Sequence, residues 1–218
     1  MQSLKTSKAK EAILSKIRKG LNDKKLPMPF PEVEKDYSEI YAKSEIDLIE
    51  LFATEFIKLG GKFVFCEDET ELIHQIAMIK NQAAWKELLC TENRITESFV
   101  TNSYDFVSQA NNENETADAC ITLCETLVAR TGSTLLSSKQ HLGRVATVFY
   151  PVHIIVAYSN QVVYDIVDAM DFMQKKYGKD LPSMINLNTG PSRTADIEKT
   201  LVVGVHGPKE VFCFLVNQ

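Results

Sequence analysis

Three short segments of this chain combine glycine, hydroxyl and charged side chains at the ends of predicted strands. In the first, Thr131, Gly132 and Ser133 follow a predicted strand over 126–130. A turn of this kind can direct backbone N–H groups and hydroxyls at an anion. Because Gly, Ser and Thr are also ordinary turn residues, a plain hairpin turn stays open as the alternative.

The second segment brings a cation and a histidine close to the start of an apolar strand. Arg144 carries a planar guanidinium, a group that binds carboxylate or phosphate through paired hydrogen bonds. His153 opens the predicted strand over 153–158. It is either a structural residue bonded to the backbone or a group that binds a ligand and moves protons. The sequence leaves both interpretations open.

The third segment is the richest in polar side chains. It continues a predicted strand over 183–188 with Thr189, Gly190, Ser192, Arg193 and Thr194. We expect it to open a short helix, whose unpaired N–H groups and partial positive charge attract anions. Asp196 and Glu198 add carboxylates, and a strand over 201–205 leads to His206 and Gly207. The alternative is a helix cap with a surface ion pair.

Together these segments predict one anion site. Ligands of open α/β folds bind at the carboxyl ends of strands, so we expect the glycine turns to meet there and hold a carboxylate or a phosphate. Arg193 would neutralise the ligand. Asp196, Glu198 and His206 are the candidates for catalysis, since a carboxylate or an imidazole can be tuned to transfer a proton near neutral pH.

The elements that position these segments follow from the spacing of apolar residues. Apolar side chains recur every four positions from Ala9 to Leu21 and predict a lysine-rich first helix. Prolines alternate with apolar residues over 27–31, which predicts an extended connector. We therefore expect an N-terminal helical arm with its connector over residues 1–31, and an α/β domain over residues 32–218.

The rest of the chain predicts an α/β fold. Helices after Ser44 and over 69–80 alternate with strands over 62–66 and 88–90, a rhythm typical of parallel sheets. Further strands are predicted at 119–122, 126–130, 133–137, 153–158, 183–188, 201–205 and 211–216. A helix is predicted over 162–177. The expected architecture is a mixed or mostly parallel sheet flanked by helices.

Composition narrows the class of protein. The 218 residues are 44% hydrophobic and 24% charged, as in ordinary globular chains. The net charge of −5 argues against nucleic-acid binding. Neither a signal peptide nor an apolar stretch of about 20 residues that would span a membrane is visible, so we expect a cytoplasmic protein. The basic segment 1–25 is either a solvated helix face or a dock for an acidic partner or an anionic membrane surface.

Five cysteines are scattered along the chain: Cys66, Cys90, Cys120, Cys124 and Cys213. Iron–sulfur clusters usually need four thiolates in tight runs. Zinc needs a second pair of ligands beside the single C-x₃-C pair. We therefore expect free, mostly buried thiols and no metal or other cofactor in this chain.

Longer stretches around the polar segments resemble a known family. TGPSRTADIE (189–198) and LVVGVHGPKEV (201–211) closely resemble the C-terminal signature of the lactate-utilization protein C family, whose module is the LUD domain. ADACITLCETLVARTGSTLLSS (117–138) and GRVATVFYPVHIIVAY (143–158) match the same family in order and spacing. Together these specific matches lie within residues 117–216.

The resemblance implies a fold related to ribose-5-phosphate isomerases, glucosamine-6-phosphate deaminases and CoA transferases. It also implies a component of a system that oxidises L-lactate to pyruvate, in which two partner proteins carry the iron–sulfur clusters. Where the family commonly has an acidic residue before its glycine turn, this chain has Arg130. That departure implies a different ligand or lost activity at the turn.

Three functions are compatible with these residues. The first is a lactate-oxidation component that binds a small carboxylate or phosphate, or assists its cluster-bearing partners. The second is an independent isomerase- or CoA-transferase-like enzyme acting on a sugar phosphate or acyl-CoA, by analogy of fold alone. The third is a non-catalytic assembly module that docks through the basic N-terminal helix.

We predict that the purified chain binds no iron–sulfur cluster, since it has no run of cysteines with cluster spacing. Anaerobic reconstitution with iron and sulfide, followed by iron analysis and visible absorption, checks this. The expected result is no retained iron and no charge-transfer band. Stoichiometric iron with such a band would contradict the prediction.

Overall fold

The computed structural model describes residues 8–22, 46–105, 107–108, 117–140, 142–195 and 201–218. Contacts divide the chain into two compact units, Met1–Ser44 and Glu45–Gln218. In the first unit, α1 (Lys8–Asn22) is the helix predicted from the apolar spacing. The connector over 27–31 and the predicted boundary after residue 31 lie outside the described residues, so both stay predictions.

The described part of the second unit alternates helices and strands. Its helices are α2 (Leu48–Lys58), α3 (Glu69–Gln82), α4 (Asn93–Thr101) and α5 (Ile166–Tyr177). Its strands are β1 (Lys62–Cys66), β2 (Leu88–Cys90), β3 (Val107–Ser108), β4 (Ala119–Leu123), β5 (Thr126–Val128), β6 (Ser133–Ser137), β7 (Val152–Tyr158), β8 (Val162–Val163), β9 (Ile185–Asn188), β10 (Arg193–Ala195), β11 (Leu201–Val203) and β12 (Glu210–Val216). Short 3₁₀ turns follow β5 at Ala129–Thr131 and β7 at Ser159–Gln161.

Six of these strands form a central sheet whose pairings are parallel. The order is β1-β12-β7-β4-β2-β3. β7 is an interior strand, paired with β12 on one side and with β4 on the other. Helices pack on both faces of the sheet. These features confirm the predicted α/β class with a mostly parallel sheet flanked by helices.

Strand β12 shows how both faces of the central sheet are covered. Its alternate residues face two cores: Phe212, Phe214 and Val216 pack with α3 and α4, and Val211, Cys213 and Leu215 pack with α2. Successive side chains of a strand point to opposite faces. A strand covered on both faces is therefore apolar without interruption, as in the sequence VFCFLV of β12.

Two smaller sheets adjoin this core. One has the order β8-β5-β6-β9. In it β5 pairs in parallel with β8, whereas β6 pairs antiparallel with β5 and β9. The other is the antiparallel pair of β10 and β11. Both smaller sheets contribute the polar loops that the sequence singled out.

Several sequence predictions are wrong in detail. Arg193–Ala195 form strand β10, because they pair with β11, and do not open a helix. The strand predicted over 126–130 ends at Val128, and the backbone continues as a 3₁₀ turn. The helix predicted over 162–177 begins only at Ile166, where Asp165 caps it through a side-chain hydrogen bond to the Ile166 N–H.

The turn before β6 is fixed by close packing against α2. Gly132 has a φ of +58°, a conformation that residues with a Cβ rarely adopt. A Cβ at this position would lie 2.5 Å from the backbone nitrogen of Phe56. Since backbone meets backbone here, no side chain fits. Gly132 therefore seats the turn directly on α2.

A buried carboxylate fastens the C-terminal end of α5 to the second sheet. Lys176 Nζ lies 2.8 Å from Oε2 of Glu125, whose side chain is fully buried. The hydroxyls of Tyr177 and Ser137 donate to the other oxygen, Oε1, at 2.8 and 2.5 Å. Both carboxylate oxygens are therefore satisfied, as a buried charge requires.

A second ion pair fastens the N-terminal end of α5. Arg130 Nη2 donates to Oδ1 of Asp165, the cap residue of the helix, at 2.7 Å. This hydrogen bond lowers the pKa of the Asp165 carboxyl below its ordinary value. Arg130, which stands where the family pattern is commonly acidic, therefore has a structural partner in this chain.

All five cysteines are buried and free, as predicted. Burial raises the pKa of the Cys90 thiol to about 11 and that of Cys66 to about 12. None of the described helices is long and apolar enough to cross a membrane.

Replacing Gly132 with Ala is expected to destabilise the fold by about 1–3 kcal/mol more than replacing Gly178, because the added Cβ must displace backbone. Gly178 is the control. Its φ of +55° and ψ of −116° strain an Ala backbone at least as much as the conformation of Gly132 does, but there is open space where a Cβ would lie, so a larger loss at Gly132 reports the packing. Urea unfolding of the two variants measures the difference, and equal losses would contradict the packing explanation.

Replacing Arg130 with Met is expected to lower the free energy of unfolding at pH 7 by about 1 kcal/mol. Because the pKa of Asp165 is lowered in the folded state, the stabilisation is complete above the pKa of the unfolded chain, about 3.9. It is lost as the pH falls through the lower folded-state pKa.

Urea unfolding of this variant at a series of pH values from 7 downward tests the ion pair. Arg144→Met is the matched control, since that guanidinium donates to the hydroxyl of Ser183 rather than to a carboxylate. A loss in Arg130→Met that did not shrink at low pH would rule out the ion pair as its cause.

Candidate functional site

A cavity of about 190 Å³ lies at the edge of the central sheet. It is lined by Thr147, His153, Asn188, Gly190, Ser192, His206, Pro208 and Val211. His153 and Val211 are the second residues of β7 and β12, whereas Asn188 is the last residue of β9. The cavity thus lies at the carboxyl end of β9, a strand of the smaller sheet, but at the amino ends of β7 and β12. The expectation of a site at the carboxyl ends of the strands is therefore wrong for the central sheet, because the loops that reach the cavity precede β7 and β12.

Backbone hydrogen bonds fix the loops around this cavity. The Ser192 N–H donates to the carbonyl oxygen of Pro208 at 3.0 Å, and the Gly204 N–H donates to that of Ser192 at 2.9 Å. The Lys209 N–H donates to the carbonyl oxygen of Pro151 at 2.8 Å, just ahead of β7. These bonds tie the β10–β11 hairpin to the starts of β7 and β12.

The glycines of the third segment allow close approach of backbone around the cavity. Gly190 has a φ of +74°, and a Cβ there would lie 2.9 Å from the carbonyl oxygen of Leu59. A Cβ on Gly207 would lie 2.9 Å from the carbonyl oxygen of Thr147 and 3.1 Å from the Cβ of Ser192. Gly207 therefore lies beside two residues of the lining.

The first and third segments meet through their hydroxyls. Thr131 Oγ1 donates to Ser133 Oγ at 2.8 Å, and Ser133 Oγ lies 2.9 Å from Thr189 Oγ1. The two segments are thus adjacent, which the hypothesis of a shared site requires. Residues 131–133 do not belong to the cavity lining, however. Their hydroxyls bond to one another and to Thr189, the residue before Gly190 of the lining.

The predicted cations have partners of their own. Arg193 Nη2 donates to the carbonyl oxygen of Leu59, and Arg144 Nη2 donates to the hydroxyl of Ser183. Neither guanidinium is part of the lining of the described cavity. Thr194 is half-buried within β10. Ligand binding by these three residues stays a prediction.

Two of the three predicted catalytic residues, Asp196 and Glu198, lie outside the described residues, so their roles stay predictions. The third, His206, lines the cavity and is exposed at its rim. Among the described residues that line the cavity, His206 is therefore the candidate for proton transfer.

His153 forms a polar floor of the cavity. Only 1% of its surface is exposed, and its Nε2 lies 2.8 Å from Thr122 Oγ1. Burial disfavours the charged ring and lowers the pKa of His153 to about 4. The ring is therefore neutral at pH 7, which suits hydrogen bonding better than proton transfer near neutrality.

Some residues of the site carry no local sequence signal. Thr147 is buried, accepts a hydrogen bond from Asn186 Nδ2 at 3.3 Å and lies in a turn without a recognisable motif. Thr122 meets His153 only because β4 pairs with β7. Asn188 directly precedes the third segment, so its position did offer a signal.

The lining of this cavity is polar but carries no fixed charge. Its described side chains offer hydroxyls, an amide and two imidazoles, and they include no Lys, Arg, Asp or Glu. Within the described ranges, His, Cys, Asp and Glu form no group of three or more that could hold a metal ion. The arrangement is suited to holding a small ligand through neutral hydrogen-bond donors.

Comparison with known proteins identifies relatives of this chain. "Lactate utilization protein C" of Bacillus velezensis is 33% identical over 135 residues, covering 60% of this chain and 56% of the relative. The protein of the same name from Bacillus subtilis is 36% identical over 105 residues, covering 47% and 44%. This chain therefore spans about half the length of the curated relatives it matches.

A solved structure and a family description extend the comparison. The crystal structure of a DUF162 family protein from Deinococcus radiodurans has a TM-score of 0.59 and 21% identity, covering 80% of this chain and 99% of the other. At that identity the likeness concerns the fold. The family described as the LUD domain matches residues 5–216. Because this match includes nearly every residue, the chain belongs to the LUD domain family.

Proposed function

We propose that this protein takes part in lactate utilization as a component that binds a small carboxylate, while partner proteins carry the iron–sulfur clusters. Membership of the LUD domain family and the relatives named lactate utilization protein C support the pathway. The cluster chemistry is assigned to partners because the five cysteines have no cluster spacing.

The size and chemistry of the cavity carry the proposal. Its volume of about 190 Å³ is many times the roughly 10–15 Å³ that one water molecule needs. A three-carbon hydroxy or oxo acid, which has only a few heavy atoms, can enter a space of this size. Around that space, the Ser192 and Thr147 hydroxyls and the Asn188 amide can donate to carboxylate oxygens.

The position of the cavity also favours a role in binding. His206 is exposed at the rim, whereas His153 on the floor is neutral and buried. A ligand would therefore lie between a fixed neutral group and an exposed imidazole. That arrangement suits recognition of a carboxylate with its polar α-substituent near the rim.

The proposal predicts that the purified protein binds L-lactate or pyruvate, and that Ser192→Ala weakens the binding by roughly 10- to 150-fold. This range corresponds to about 1.5–3 kcal/mol for a hydrogen bond to a charged group. Isothermal titration calorimetry measures both proteins. Ser159→Ala is the matched control, since Ser159 follows the carboxyl end of β7, opposite to His153.

Two results would count against the proposal. One is a folded wild-type protein that binds neither L-lactate nor pyruvate. The other is equal loss of affinity in Ser192→Ala and Ser159→Ala, which would show that the cavity is not where the ligand binds. Circular dichroism and thermal melting of each variant establish that the fold is unchanged.

A further inference from the structure

The hydroxyl of Thr122 determines which nitrogen of His153 carries the proton. Thr122 is fully buried, and its Oγ1 lies 2.8 Å from Nε2 of His153. Among the described residues, this nitrogen is the sole hydrogen-bond partner of the hydroxyl. A buried hydroxyl proton left without an acceptor is costly, by about 1–3 kcal/mol. The Thr122 hydroxyl therefore donates, and Nε2 accepts.

The other ring nitrogen is then a donor. A neutral imidazole carries one proton, so acceptance at Nε2 leaves that proton on Nδ1. The low pKa of the buried ring, about 4, keeps it in this neutral form at pH 7. Within the described part of the chain, Nδ1 has no hydrogen-bond partner. Nδ1 is also not fully enclosed by the protein, since it does not belong to the buried side-chain atoms that lack a partner.

We propose that His153 is the residue that selects the ligand: its Nδ1–H donates to an oxygen of a small monocarboxylate, and the cavity therefore discriminates against inorganic phosphate. His153 is 99% buried and belongs to the cavity lining, so its free nitrogen is the polar group of the floor. This inference rests on the proposed function, because it names how that carboxylate site recognises its ligand.

Charge explains the expected discrimination. Phosphate carries close to two negative charges at pH 8, since its second pKa is about 7. The described lining offers no Lys or Arg to balance them, and Arg193 and Arg144 donate to Leu59 and Ser183 instead. A single carboxylate charge can be satisfied by several neutral donors, as at His153, Ser192 and Thr147. The two negative charges of a dianion in the same place would not be fully compensated by these neutral donors.

Two substitutions of His153 separate binding from structure. The side-chain amide of Asn reaches the place of Nδ1, whereas the longer Gln reaches the place of Nε2. His153→Asn keeps a donor towards the cavity and loses the bond to Thr122, and His153→Gln does the reverse. We expect His153→Asn to retain pyruvate affinity within about threefold and His153→Gln to lose about tenfold or more.

Titration calorimetry at pH 8 with pyruvate, L-lactate and inorganic phosphate measures these affinities on the whole chain of 218 residues. The wild type is expected to bind at least one of the two carboxylates about tenfold or more tightly than phosphate. Nitrogen-15 NMR of the imidazole is expected to find Nδ1 protonated and Nε2 unprotonated. It uses the ligand-free wild type, so it does not depend on whether a variant folds.

The failures of the inference and of the proposed function are distinguishable. A wild type that binds no carboxylate refutes the proposed function and, with it, ligand selection by His153. A wild type that binds carboxylates while His153→Gln outperforms His153→Asn refutes the inference alone. Equal affinity for phosphate and carboxylates would also refute the inference alone. A His153 ring protonated at Nε2 would do the same.

Discussion

The pairing of β7 with a parallel strand on each side determines the character of the candidate site. Every residue of Val152–Tyr158 is buried between β4 and β12. His153 lies in this strand, in register with Cys120 and Val211. Water therefore cannot stabilise a charged ring, and the site acquires a neutral polar floor. The parallel sheet thus decides both where the cavity lies and what kind of group forms its base.

The remainder of the site comes from loops that the smaller sheets hold against that strand. β9 ends at Asn188, and the hydroxyl pair of Ser133 and Thr189 joins this end to the start of β6. The bond from the Ser192 N–H to Pro208 brings the hairpin to the start of β12. Packing of Gly132 on α2 fixes the turn behind them. Together these separate constraints produce a cavity lined by neutral hydrogen-bond donors.

The sequence predicted the parts of the fold that depend on local apolar pattern. Lys62–Cys66 and Ser133–Ser137 have the predicted bounds, because continuous apolar and β-branched runs indicate strands. The hairpin at Arg193 was missed, since its polar sequence resembles a helix start and only pairing with β11 makes it a strand. His153 was singled out from sequence. Its partner Thr122 follows from strand pairing, which one sequence does not reveal.

The central claim is that the cavity between β7, β9 and the hairpin is the site of a small monocarboxylate. The most direct test is an NMR titration of the isotope-labelled protein with pyruvate, following backbone amides. The predicted result is a saturable set of shift changes centred on Thr147, Gly190 and Ser192, with Ser159 unaffected. Shift changes centred elsewhere, or none at saturating pyruvate, would contradict the claim.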